Sequence, residues 1–303
     1  MNKKYLIVVV GPTAIGKTSL SIALTRSFNT EIISADSRQF YKEMSIGTAA
    51  PTSKELEAAK HHFIHHRSIE EDYSVGDFER DALEKLEDLF QSHREVIMVG
   101  GSGLYVDAVT KGLDNFPEVD PQIRKDLNQQ LEKEGISSLQ EELLKVDPEY
   151  YAEADVQNPH RLIRALEICR GTGKPYSSFR KNTKAERFFD TIFIGLTAER
   201  QTVYDRINRR VDIMMEEGLL EEAKRLYEQR DLNALNTVGY KEIFRFFDGE
   251  WSMEKAVEEI KKNTRRFAKR QFTWFRKNEE IHWFDHTTPP ADIVAFLQKK
   301  MEN

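Results

Sequence analysis

The chain has 303 residues, 39% of them hydrophobic and 32% charged, and its 45 Lys and Arg against 51 Asp and Glu leave a net charge of −6. The length suits about two domains, and the aromatic content excludes general disorder. The longest apolar run, 6–10, is far too short for a membrane helix, and the single cysteine, Cys169, excludes internal disulfides and a Cys-rich zinc site.

The N-terminus has a faint signal-peptide look, but it runs into Gly-Pro-Thr rather than a small-residue cleavage site, so a cytoplasmic enzyme is expected. Residues 5–10 are a β-branched run ending at a glycine, which predicts a buried parallel strand. A helix follows over 16–28, with Leu20, Ala23, Leu24 and Phe28 at helical spacing, and then a short strand over 31–34. A helix over 77–92 precedes a buried strand over 96–99, which stops at Gly100-Gly101-Ser102-Gly103. Between 118 and 187 no strand is predicted; prolines punctuate short helices over 121–134, 137–145 and 159–171. A fourth strand over 192–196 is followed by helices over 199–217, 219–230, 238–247 and 252–277. An edge strand over 281–284 and a helix over 290–301 complete the chain. Strands alternating with helices predict an α/β fold, a parallel sheet covered on both faces, in two parts (1–117 and 188–303) separated by a helical insertion over 118–187.

The charge is segregated. Residues 67–95 carry ten acids and four bases, and 126–155 nine acids and two bases. By contrast, 158–187 carries eight bases (Arg161, Arg164, Arg170, Lys174, Arg180, Lys181, Lys184, Arg187) against two acids, and 255–277 nine bases against two. Two basic blocks in an acidic chain read either as a local polyanion site or as solvated helix faces.

Gly11-Pro-Thr-Ala-Ile-Gly16-Lys17-Thr18 matches the P-loop pattern in its proper place, between a buried strand and a helix. Such a loop turns successive N–H groups and a helix N-terminus toward phosphate oxygens; Lys17 adds a point charge, and the Thr18 hydroxyl suits Mg²⁺. The motif alone predicts an NTPase or kinase on a P-loop NTPase-like fold. However, the 96–99 strand ends in glycines, where an ATPase usually has a Mg²⁺-orienting acid. The acid near the loop is Asp36, which reads as a general base toward an acceptor or as a Mg²⁺ ligand. Arg206, Arg209 and Arg210 lie on the helix after the fourth strand, where small P-loop kinases often clamp phosphate. His61, His62, His65 and His66 offer only i, i+4 pairs, with no Glu or Cys completing a metal site, and Cys169 has no histidine partner by sequence.

Arg161 and Arg164 share a helix face behind Pro159. Over 252–277, Met253, Val257, Ile260, Thr264, Phe267, Gln271 and Phe275 form a three/four-spaced core stripe. Lys261, Lys262, Arg265, Arg266, Lys269 and Arg270 flank it as a cationic face suited to phosphates.

Taken together, these stretches resemble the bacterial type of the tRNA dimethylallyltransferase (tRNA isopentenyltransferase) family. The resemblance rests on the P-loop, Asp-Ser-Arg-Gln-Phe-Tyr-Lys (36–42), Ile-Gly-Thr-Ala (46–49), Tyr-Ser-Val-Gly-Asp-Phe (73–78) and Val-Gly-Gly-Ser-Gly-Leu-Tyr (99–105). It continues through Asn-Pro-His-Arg-Leu-Ile-Arg-Ala-Leu-Glu (158–167), Thr-Val-Gly-Tyr-Lys-Glu (237–242) and Ala-Lys-Arg-Gln-Phe-Thr-Trp (268–274). It implies transfer of a dimethylallyl group from its diphosphate to N6 of the adenosine directly 3′ of the anticodon, in tRNAs that read codons beginning with U.

In that reading the P-loop (Gly11, Pro12, Thr13, Ala14, Ile15, Gly16, Lys17, Thr18) holds the diphosphate leaving group, Mg²⁺ sits at Thr18, and Arg210, with Arg206, clamps the phosphates. Asp36 takes the amine proton, with Thr13 beside it. Ser37, Arg38 and Gln39 meet the extruded nucleotide and its neighbours, and Ser102 meets the tRNA or the diphosphate near the same point. Arg124, His160, Arg161, Leu162, Ile163 and Arg164 grip the anticodon loop, and Thr237, Gly239, Tyr240 and Lys241 lie on the other side. The implied partners are the tRNA anticodon stem-loop and dimethylallyl diphosphate, with a monomeric enzyme and no membrane. Ser45, Ala50, Asn236 and Lys241 depart from the residues common in the family, Asn236 and Lys241 where arginines often stand. With one cysteine, the C-terminal zinc finger of many eukaryotic members is not expected. The rival readings are a P-loop small-molecule kinase, an adenylate isopentenyltransferase acting on a free nucleotide, and a non-catalytic RNA-binding module.

Overall fold

A computed structural model of the chain describes residues 3–180 and 185–302. It divides into two compact units, one formed by the residues up to Lys111 together with those from Glu186 onward, the other by Gly112–Ala185.

The first unit opens with β1 (Tyr5–Val10), α1 (Lys17–Phe28), β2 (Ile32–Ser34), α2 (Ser53–Ala58), β3 (His61–His62), α3 (Val75–Leu89), β4 (Glu95–Val99) and α4 (Gly103–Lys111). The second unit holds α5 (Pro121–Glu134), α6 (Ile136–Val146), α7 (Pro148–Glu153) and α8 (Pro159–Thr172). The first unit resumes with β5 (Asp190–Thr197), α9 (Arg200–Glu216), α10 (Leu219–Leu226), α11 (Tyr240–Phe247), α12 (Met253–Phe275), β6 (Ile281–Asp285) and α13 (Pro290–Glu302).

The six strands form one sheet in the order β3-β2-β4-β1-β5-β6, every neighbouring pair parallel. β1 is central and buried along its whole length. Its alternating side chains feed both faces. Tyr5, Ile7 and Val9 pack with Leu20 and Leu24 of α1, Ile207 of α9 and Leu297 of α13. Leu6, Val8 and Val10 pack with Phe78 and Leu86 of α3, Val106 of α4 and Phe275 at the end of α12. This two-sided burial is why the strand reads as an unbroken apolar run. A third apolar cluster joins Val211, Leu219, Tyr240, Ile243 and Ile260 of α9 to α12.

In the second unit, Leu127, Leu139, Leu143, Leu162, Ile163 and Leu166 make a separate core. Three of its four helices start on side-chain caps followed by proline: Asp120 before Pro121, Asp147 before Pro148, Asn158 before Pro159; α6 starts behind Gly135 without a side-chain cap. A proline at the first helical position gives up an N–H that has no partner there.

Four elements were not foreseen. β3 is two residues long, α2 and α7 six each, and α4 begins at Gly103 directly behind glycines that read as chain breakers. No helix among the described residues is long and apolar enough to cross a membrane.

Candidate active site

Val9 is in register with Val99, Val99 with Ser34, and Val10 with Gly195. The segments leaving β1, β2 and β4 therefore emerge along one edge of the sheet, bringing together the P-loop, Asp36 and Ser102. At Gly11 the backbone has φ +142°, and a Cβ there would sit 2.7 Å from the Leu196 carbonyl oxygen, so only glycine lets the chain turn against β5. α1 then starts at Lys17, behind a left-handed Gly16.

Lys17 Nζ donates back to the carbonyls of Gly11 (3.0 Å) and Pro12 (2.9 Å). Burial lowers its pKa to about 8; nearby Asp36 raises it and Arg210 lowers it further. Burial likewise pushes the Asp36 carboxyl above its ordinary value. A backbone N–H from Arg38 (3.2 Å) and the charges of Lys17, Arg38 and Arg210 pull it part of the way back. Arg206 and Arg210 lie one turn apart on α9. Arg206 Nε donates to the Ala14 carbonyl (2.7 Å), and Arg210 Nη1 lies 3.5 Å from Thr13 Oγ1. Burial, and repulsion from Arg206, hold the Arg210 guanidinium below its usual value. Arg209 is exposed and stands apart from this group.

Two cavities meet here. One, of about 590 Å³, is lined by Ser37, Arg38, Ser102, Thr237, Gly239, Lys241, Phe267 and Trp274. The other, of about 800 Å³, is lined by Ala14 to Thr18 of the P-loop, Arg206, Ile46, Glu55, Leu56 and Ile213. Thr13, Lys17, Asp36, Thr48, Ala49, Arg210 and Met214 border both. Thr18 faces the larger one, and its hydroxyl makes no hydrogen bond among the described residues. A hydroxyl there is the type of oxygen donor that Mg²⁺ accepts; among the described residues no group of three or more His, Cys, Asp or Glu is placed to hold a metal.

Polar residues in and beside the two cavities brace them. Ser102 Oγ accepts from the Ser37 N–H and lies 3.2 Å from Ser37 Oγ. Arg38 donates to the carbonyls of Asn233 and Ala234, and Gln39 to those of Thr48 and Ala49. Buried Glu222 accepts from the N–H groups of Ser45, Ile46 and Gly47 and from the Tyr240 hydroxyl. Buried Gln271 accepts from the Thr13 N–H at 2.8 Å and donates to the Gly101 carbonyl at 3.0 Å.

Several expectations are corrected by burial. Tyr240 is 0% exposed, its hydroxyl spent on Glu222, so it positions the 45–47 segment rather than touching RNA. Leu162 and Ile163 lie in the core of the second unit, also out of reach. Ile15 buries its side chain, leaving only its backbone for a ligand, and Pro12 has no N–H to give. Phe267, read as core, is exposed and lines the first cavity. His61 and His62 form β3, so the 61/65 and 62/66 pairs share no helix face; His61 Nδ1 lies 2.8 Å from the Ala59 carbonyl and His62 Nε2 2.6 Å from Glu31.

The basic block of the second unit is partly neutralised. Arg124 and Arg164 converge on Glu167 (3.2 and 2.9 Å), Arg170 pairs with Glu142 and Arg180 with Glu153. Arg187, in the first unit, pairs with Glu79. His160 and Arg161 stay exposed, without a hydrogen bond or ion pair from their side chains among the described residues. Lys181 and Lys184 lie outside the described residues. Cys169 is buried on α8. The residues that sequence reasoning missed were Glu222 and Gln271. A buried Gln on an apolar stripe was the available signal for the second; the first had none.

The model of the IPP transferase family matches residues 39–278. A tRNA dimethylallyltransferase of Christiangramia forsetii is 63% identical over 297 residues, covering 98% of both chains. One of Flavobacterium johnsoniae is 55% identical over 306, covering 99% of both. The full-length tRNA isopentenylpyrophosphate transferase of Bacillus halodurans superposes with a TM-score of 0.74 at 40% identity, over 99% of this chain and 97% of that one. A eukaryotic dimethylallyltransferase captured acting on tRNA superposes with a TM-score of 0.83 at 28% identity, over 99% of this chain and 80% of that one. The six-stranded parallel sheet and its surrounding helices match these structures, which have a P-loop NTPase-like fold.

Proposed function

The chain belongs to the IPP transferase family, and we propose on that premise that it moves a dimethylallyl group from dimethylallyl diphosphate to a tRNA. The acceptor is N6 of the adenosine directly 3′ of the anticodon, in tRNAs reading codons that begin with U, and diphosphate is released. The observation that carries this reading is the meeting of two cavities at Thr13, Lys17, Asp36 and Arg210. One cavity offers phosphate-binding groups, the other suits a nucleotide, and a carboxylate stands between them.

The diphosphate enters the P-loop cavity and takes Lys17 Nζ from the carbonyls of Gly11 and Pro12. Loop N–H groups, Arg206 and Arg210 hold its oxygens. When Mg²⁺ is bound, Thr18 helps hold it, and it neutralises part of the diphosphate charge. This leaves the allylic carbon at the junction. As its C–O bond breaks, the electron pair goes to the diphosphate oxygen. Lys17 and Arg210 stabilise that growing charge where solvent is scarce. The adenine, flipped from its stack, reaches the same carbon from the first cavity, between Ser37, Ser102 and Thr237. Its N6 forms the new C–N bond, and Asp36 accepts the N6 proton. An amine whose lone pair is delocalised into the ring needs such a base, and burial raises the pKa of Asp36 toward this task.

In the second unit, Arg124, His160, Arg161 and Arg164 are assigned to the anticodon loop. The tRNA substrate puts the enzyme in the cytoplasm, and one chain carries every group named here, so a monomer suffices.

The test is label transfer with Mg²⁺ from dimethylallyl diphosphate to an unmodified tRNA transcript, the same transcript with guanosine after the anticodon, and AMP. Label on the adenosine transcript alone is expected. Label on AMP indicates free-nucleotide prenylation. No label, with ATP consumed and ATP raising the Tm, indicates a kinase.

A further inference from the structure

A third cavity, of about 420 Å³, lies between α11 and α12 and borders the acceptor cavity through Val238, Lys241 and Arg270. Lys241, Arg245, Arg266 and Arg270 line it. Its two carboxylates are already engaged: Glu242 accepts from the Gly239 N–H and from Asn263, and Glu259 pairs with Lys255 and Lys262. With four cations against two carboxylates, the lining carries a net positive charge. It also presents an aromatic surface, because the Arg245 guanidinium lies 4.7 Å from the centroid of the half-buried Trp251 ring. Arg245 itself is more than half exposed, and its one acidic neighbour, Glu250, is 3.8 Å away and equally exposed, a pair worth little in water.

We infer that this cavity is a second RNA subsite, which holds an unpaired nucleotide neighbouring the acceptor adenosine. The base stacks on the composite face of Trp251 and Arg245, and Arg266 takes the adjoining phosphate. Three features select single-stranded RNA: net positive charge, an indole–guanidinium face that accepts any base, and an opening into the cavity assigned to the flipped adenosine. The inference rests on the proposed tRNA reading and adds to it a site that neither the P-loop nor the acceptor cavity contains. It makes Arg245, Trp251 and Arg266 binding residues; none of them touches the reacting atoms.

The experiment compares the parent chain with Trp251→Ala, Trp251→Phe, Arg245→Glu and Arg266→Ala. An unmodified anticodon stem-loop is the probe, its Kd is measured across a salt series, and single-turnover transfer is measured at saturating stem-loop. Trp251→Ala and Arg245→Glu are expected to weaken binding about tenfold or more, with Trp251→Phe restoring most of the loss. Arg266→Ala is expected to reduce the salt slope by about one. The saturated rate, the affinity for the diphosphate and the Tm are expected to stay at parent values. Parent-like stem-loop affinity and salt slope in all four variants would overturn the subsite while leaving the proposed function intact. If the parent itself fails to bind the stem-loop, the proposed function and the subsite both fall. Loss of binding with a collapsed Tm in Trp251→Ala but parent values in Arg245→Glu and Arg266→Ala would assign Trp251 to structure and overturn the proposal.

Discussion

The backbone N–H of Thr13 donates to Oε1 of Gln271 at 2.8 Å, so a side chain from α12 fixes the P-loop 258 positions before it. The side-chain NH₂ of Gln271 donates to the Gly101 carbonyl, which ties the loop to the segment after β4. Gln271→Glu keeps an acceptor for Thr13, loses the donor to Gly101, and sets a negative charge near Lys17, where the diphosphate is to bind. Rapid-quench transfer is expected to fall about 10²-fold through misplacement and repulsion, with a higher KM for the diphosphate. A parent-like rate and KM would show that the tie does not position the loop.

The pH dependence follows from Asp36 and Lys17. As the proposed base, Asp36 must be ionised to accept a proton, and burial raises its pKa, so activity is expected to rise with pH through a value above the group's ordinary one. In the proposed mechanism Lys17 must be charged, and its pKa is lowered to about 8, so kcat/KM for the diphosphate is expected to decline as pH rises through that value. In kcat the alkaline limb is expected to move upward, because bound diphosphate favours the ammonium form. Asp36→Asn is expected to lower the rate by about 10²-fold or more and to abolish the acid limb. An unchanged acid limb in that variant would remove Asp36 as the base.

Glu222 holds the 45–47 segment through three N–H groups and the Tyr240 hydroxyl. Gln in its place turns an amide NH₂ toward donors. The expected destabilisation is about 3 kcal/mol by urea unfolding, the order for a buried charged acceptor lost with partners left unpaired. Tyr240→Phe removes one of the four bonds, at a cost of about 1 kcal/mol. Gly47→Ala is expected to perturb the same segment, since a Cβ there would lie 2.6 Å from the Tyr240 ring. Parent-like unfolding in Glu222→Gln would contradict this account.

The two arginines of α9 are expected to separate kinetically. Arg210 borders both cavities and is mostly enclosed, so Arg210→Ala is expected to lower kcat by about 10²–10³-fold, the scale for losing one group that stabilises developing charge. Arg206 is exposed and lines only the P-loop cavity, so Arg206→Ala is expected mainly to raise KM for the diphosphate. Equal effects on kcat would contradict the division.

Legibility varied with how local each signal was. β1, the P-loop and the long α12 were readable because two-sided burial, the glycine pattern and 3.6-residue periodicity are written into contiguous residues. α5 and α8 of the second unit were readable from the prolines at their starts, whereas α7, also capped and started by a proline, is only six residues long and too short to show a helical period. α4 was hidden by the glycines it starts behind, and β3 is too short to carry a pattern. Within the site, Asp36, Lys17 and Arg210 were named from motif position. Tyr240 was misread because a tyrosine beside a glycine in a polar segment gives no sign that its hydroxyl is committed to Glu222. Phe267 was misread because apolar spacing marks a helix stripe without saying whether the stripe faces protein or a cavity. Gln271 and Glu222 act across long sequence separations, which no local pattern reports.

The most direct measurement labels dimethylallyl diphosphate at both the allylic carbon and the terminal phosphorus, and follows both labels with Mg²⁺ and unmodified tRNA. The expected result is carbon label on the adenosine 3′ of the anticodon and phosphorus label in solution as intact diphosphate. Phosphorus label on the acceptor, or carbon label appearing as free alcohol with none on tRNA, would contradict prenyl transfer at the junction of Lys17, Asp36 and Arg210.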